Sequence, residues 1–156
     1  MKPRYALGFA AVLVGSSLNY FGDRLLGVRL ELFRGLLTTF GAASLADIFI
    51  VPFVAGIGVA WIFGRGAKWL GYFPPLIVRV VAYLHILLLE DLPPGAKLLP
   101  YGWWGFFVIL AMESAAIGGI LGEVFIKKIY TRTTEEKLAD QVAPGVVDGR
   151  NVDQES

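Results

Sequence analysis

The sequence predicts an all-α integral membrane protein: four transmembrane helices, with one amphipathic interfacial helix between the first and second. Three observations predict it. Hydrophobic residues make up 56% of the 156 and charged residues 17%, with a mean hydropathy of +0.63, whereas a soluble globule carries about 25% charged residues. The apolar excess sits in long runs separated by short polar breaks. Trp, Tyr, Lys and Arg border those runs, as they do where a helix is anchored at both membrane interfaces. The length suits one domain, read as a helical bundle over 1–130 followed by a polar, partly disordered tail over 131–156.

The first span is expected at about 5–21, after the basic start Lys2-Pro3-Arg4. The same start, with Gly15-Ser16-Ser17, also fits a secretory signal cleaved near residue 17. Apolar character continues through Leu18, Tyr20 and Phe21, which favours an uncleaved span. Over about 24–40, Leu26, Leu30, Phe33, Leu37 and Phe40 recur at helical spacing, with Arg24, Glu31, Arg34 and Thr38 opposite them. That pattern suits a helix lying in the membrane interface or packed onto the other spans.

A second span is expected at about 45–64. Ser44 and Asp47 have capping-box spacing, so Asp47 reads as a helix-start residue rather than an acid within the membrane. Pro52 removes one backbone hydrogen bond, and Gly56 offers a close-packing surface. Prolines 74–75 and 93–94 bracket a third span, about 76–92. It carries Arg79, Tyr83 and Glu90 within about 40° of one another, with His85 about 120° away.

The fourth span, about 103–126, opens with Tyr101, Trp103 and Trp104 and closes with Lys127, Lys128 and Tyr130. Ala111, Ser114, Ala115, Gly118 and Gly122 share one side, the small-residue surface that lets a second helix backbone come close. Glu113 points the other way, among Phe106, Ile109, Ile117 and Ile120. A carboxylate at mid-bilayer costs several kcal/mol against lipid, so that side needs protein or water as well. Beyond it, the Thr133-Thr134-Glu135-Glu136 stretch can start a short helix, and residues 143–156 read as disordered.

Lys2, Arg4, Arg65, Lys68, Lys127, Lys128 and Arg132 fall at one end of this arrangement, and Arg24, Arg29, Arg34 and Lys97 at the other. The positive-inside rule then puts both termini in the cytoplasm, of a bacterial or archaeal plasma membrane. A net charge of +1 leaves no footprint for nucleic acid. Without cysteine there is no thiolate metal site or thiol nucleophile, one histidine makes a poor zinc or di-iron site, and no catalytic motif appears. No cofactor is implied.

The expected function is therefore that of a non-enzymatic subunit or scaffold of a membrane complex or homo-oligomer, with lipids and other membrane subunits as partners. The alternative is a small transporter or a proton- or ion-conducting protein using His85 and Glu113, with Arg79 and Tyr83 extending the polar path. The first two differ in expected depth by about 5 Å, a gap that a tilt or a choice of rotamer can close. On the scaffold reading the same polar groups join helices and set their register.

Overall fold

The computed structural model describes residues 4–33, 35, 39–88, 92 and 94–142, with side chains as far as residue 129. Four helical segments in it are long and apolar enough to cross a membrane. The chain divides into two compact units, one ending at Glu123 and the other beginning at Val124.

Helix α1 runs Arg4–Leu26 and buries Ala11, Gly15 and Asn19, one residue per turn of a single stripe. It continues past the expected end at 21 because nothing breaks it before Gly27. That glycine takes φ 63, a left-handed conformation that closes a helix without Cβ strain. Asp23 is thereby carried inside the helix, one turn beyond Asn19 and on the same face.

Of the stretch 24–40 expected as an amphipathic helix, residues 24–26 belong to α1 and residues 27–33 are not helical. After Gly27 the chain turns, and strand β1, Leu32–Phe33, pairs antiparallel with β2, Lys97–Leu98, in the register Leu32↔Leu98 and Phe33↔Lys97. Leu30, Glu31 and Leu32 are all buried, and three consecutive buried residues are incompatible with a one-faced helix. Residues 34 and 36–38 lie outside the described residues. The fold is thus helical with a two-stranded clasp joining the α1–α2 connection to the one before the last helix.

Helix α2, Ala42–Phe63, starts at Gly41 without a side-chain cap and runs through Pro52. The capping box expected of Ser44 and Asp47 is absent, because Asp47 lies in the second turn and is turned inward. A short helix α3, Ala67–Leu70, follows Gly66, and α4 then spans Phe73–Leu87. The sequence places the start of this span after the two prolines, but they lie in its first turn. There the backbone N–H groups have no partner within the helix, so proline removes nothing. The expected continuation to residue 92 falls partly on residues 89–91, outside the described residues.

Helix α5 runs unbroken through Tyr101–Val142, so Thr133 to Glu136 begin no separate helix. Its part from Val124 onward belongs to the second unit, and residues 143–156, the expected disordered tail, lie outside the described residues.

Within the first unit, α5 and α2 meet through their smallest residues. Gly56 faces the carbonyl oxygen of Ala115, and Gly118 faces that of Phe53, each so closely that a methyl group at either position would collide with backbone. Gly122 sits on the Ala60 methyl. The Ser114 hydroxyl donates to the Phe49 carbonyl at 2.6 Å. Ala111 and Ala115 are wholly buried in this contact. Glycines do the same work on α1, where Gly15 rests on Pro74 and Val59 and Gly22 on Val51.

Two apolar clusters close the unit. Leu30, Ile48, Leu99 and Phe107 pack beneath the clasp, and Ala11, Val59, Ala60 and Ala67 pack toward the other end. Outside these, large side chains such as Phe9, Phe21, Leu25, Trp61 and Leu88 are more than two-thirds exposed. Such a surface suits a lipid solvent rather than water.

Candidate functional site

The densest polar chemistry lies beneath the clasp, around Arg79. Its helix position is eight residues before the end of α4, about 12 Å from that end, and its long side chain returns toward the clasp. Asp23 comes from the last turn of α1 and Asp47 from the second turn of α2. Glu31 hangs from the connection between them. Four segments distant in sequence therefore supply one charged group each.

The guanidinium nitrogen Nη2 donates to Asp47 Oδ2 at 2.7 Å and to Asp23 Oδ1 at 3.0 Å, and Nη1 reaches Glu31 Oε1 at 3.4 Å. Two carboxylates on one nitrogen must stand side by side. The Arg79, Glu31 and Asp47 side chains are at most 3% exposed, and Asp23 is 13% exposed. With every group ionised, one guanidinium faces three carboxylates, a net charge of −2. The hydrogen bonding is incomplete too: Arg79 Nε, Asp47 Oδ1 and both polar atoms of the buried Asn19 have no partner among the described residues.

A second layer holds Glu31 in place. The Leu99 N–H donates to the Glu31 carbonyl at 2.9 Å, and the Tyr83 hydroxyl donates to the Leu99 carbonyl at 3.4 Å. Tyr83 sits one turn after Arg79, and its ring lies 4.7 Å from that of Trp104 and 5.3 Å from that of Tyr101. A cavity of about 180 Å³ lies at the α1–α2 connection, lined by Gly27, Leu30, Leu32 and Ser44 among others but by none of the four charged residues. Its lining residues flank Glu31 in sequence or lie about one turn from Asp23 or Asp47. A larger, apolar cavity of about 400 Å³ lies between β1, β2 and the first turns of α5.

The other sequence candidates lie elsewhere. Arg79 and Tyr83 share a face and both serve the cluster, while Glu90 is outside the described residues. His85 and Glu113 are both exposed, and no hydrogen bond or ion pair joins them. The tilted ring contact of Tyr83 with Trp104 fixes the relative height of α4 and α5. From that level His85 is two residues toward the clasp and Glu113 nine residues away from it, a separation of about 16 Å rather than the expected 5 Å. The difference arises because α4 ends at Leu87, so His85 is near a helix end.

On sequence Glu31 reads as part of a polar helix face and Asp47 as a helix-start residue, while Asp23 is not singled out. The signal that identifies them is Arg79 itself. A guanidinium in an apolar helix requires an anion, and the acids within two turns of the clasp end of the neighbouring spans are Asp23 and Asp47. Comparison with protein families, with curated proteins and with solved structures finds no match for this chain.

Proposed function

We propose that this is a small, non-enzymatic membrane protein that takes up and releases protons at the Arg79 cluster, as a proton-coupled transporter or proton conductor. The carrying observation is the excess of carboxylates, three around one guanidinium in a site open to solvent only at Asp23. An unpaired buried charge costs several kcal/mol, so a net charge of −2 favours protons on the site. Asp23 and Asp47 stand side by side on one nitrogen, where like charges crowd each other. The carboxylates gather around the guanidinium, and among the described residues no three acids converge as metal ligands would.

Function also needs a route and a response. Asp23, the most exposed of the three, supplies the route. The response lies in the origin of the four groups, because loading or unloading a proton changes the attraction holding α1, α2 and α4 together. With both termini cytoplasmic, the clasp and the cluster face the outside of the membrane. His85 and Glu113 take no part.

In proteoliposomes loaded with a pH-sensitive dye, an imposed membrane potential should drive proton flux, and Asp23→Asn should abolish it while leaving a folded protein. Flux no greater than that of empty liposomes, or unchanged in the variant, would sink the proton reading. The second reading, a scaffold or subunit of a membrane assembly, would then stand. Exposed Glu113 favours it, since an acid on an apolar helix face demands a protein partner.

A further inference from the structure

We propose that Asn19 anchors a bound water that bridges it to Asp47 and Arg79, and that this water carries the cluster's proton inward along α1 to Ser16. The inference rests on the proton reading and deepens it, because that reading gives the cluster a route through Asp23 alone. Asn19 is wholly buried on α1. Gly15, one turn before it, rests on Pro74. Helices α1 and α4 run in the same direction, with α2 returning between them, so Asn19 comes level with Val78, next to Arg79. Neither the nitrogen nor the oxygen of its amide has a partner among the described residues. An asparagine in an apolar helix can join two helices by hydrogen bonds. This one joins none, and its buried amide still requires partners.

The cluster has the complementary need. Asp47 Oδ1 and Arg79 Nε are buried without a partner as well, and Nε is the guanidinium nitrogen nearest the stem of its side chain. The four atoms comprise two donors, Asn19 Nδ2 and Arg79 Nε, and two acceptors, Asn19 Oδ1 and Asp47 Oδ1. A cation would face the donors and an anion the carboxylate. Water donates twice and accepts twice, and a buried water typically makes about three such bonds. Ser16 Oγ, about one turn back along α1, is the next buried atom without a partner. The water takes the proton that a cluster carboxyl group releases and gives up another toward the Ser16 hydroxyl, so it is unchanged by the passage. Asn19 is thus a positioning residue. Beyond Ser16 the cluster of Ala11, Val59, Ala60 and Ala67 is apolar, so the file ends there and helix movement must open the last step.

Proton flux in proteoliposomes and infrared difference spectra across a pH step test this on the full-length protein. The wild-type spectrum should contain a water O–H band that moves to lower frequency in water labelled with heavy oxygen, and Asn19→Leu should remove it. Asn19→Leu should lower flux by a factor on the order of a hundred, the low end of what a positioned proton-transfer group contributes. Asn19→Ser keeps a donor and an acceptor with room for water and should retain most of the flux. Leucine fills the site whereas serine leaves a cavity, so Asn19→Ser should be the less stable variant while carrying the larger flux. Flux that ranks with stability, or a wild-type spectrum without the water band, would overturn the inference. Flux abolished by Asp23→Asn yet untouched by Asn19→Leu would remove the water bridge and leave the proton reading standing, whereas wild-type flux no greater than that of empty liposomes would remove both. The water band is read without any substitution, so a misfolded variant leaves the test decisive.

Discussion

The α2–α5 contact and the Arg79 cluster both bind helices together, by opposite means. In the first, Gly56, Ala115 and Gly118 bring two backbones into contact using residues with almost no side-chain entropy to lose and no charge to desolvate. That contact is complete in itself. In the second, long charged side chains give up water and rotamer freedom to meet, and the result still carries surplus charge and unpartnered atoms. A contact that only had to hold helices would have no use for three acids on one arginine. On the proposed reading the glycine contact is architecture and the cluster is where protons load.

The largest effect should follow Arg79→Met, which strands three buried carboxylates. A loss of about 3–5 kcal/mol is expected, read as reduced thermal stability and recovery of monodisperse protein. Gly118→Ala should come next at about 1–3 kcal/mol, because the new methyl meets the Phe53 carbonyl, whereas Gly102→Ala, with open space around it, should be nearly neutral. Asp47→Asn sharpens the contrast: it removes surplus charge, so it should destabilise far less than Arg79→Met while altering proton flux. Equal losses from those two variants would make the cluster a balanced structural network and end the proton reading. Ser114→Ala should cost about 0.6 kcal/mol, the average for a hydrogen bond between membrane helices. His85→Ala, last, should leave both stability and flux unchanged, and any loss of flux would return His85 to the pathway.

Much of the fold was legible locally. Four apolar runs, their aromatic and basic borders and the small-residue periodicity of α5 are properties of neighbouring residues, and the helices follow those runs. Boundaries were less legible, since Pro74 and Pro75 read as an end but act as a first turn. The segment after Gly27 was misread because its helical spacing is real and its partner, the Lys97–Leu98 strand, is remote in sequence. Of the cluster, Arg79 and Tyr83 could be singled out because they stand alone in an apolar helix. Asp23 and Asp47 are found only by asking which anion Arg79 needs, since acids near a helix end usually face water.

By itself the sequence determined which stretches are apolar enough for a membrane, which face of α5 is small, and that Glu113 lies among large apolar residues. These are consequences of composition and of a 100° helical step. Tertiary structure alone decided that Asp23, Glu31, Asp47 and Arg79 form one site and that His85 and Glu113 stand about 16 Å apart. Both outcomes depend on how far each helix slides along its neighbour. That register is set by the glycine contacts, the Tyr83–Trp104 ring contact and the clasp, which join residues no local periodicity connects.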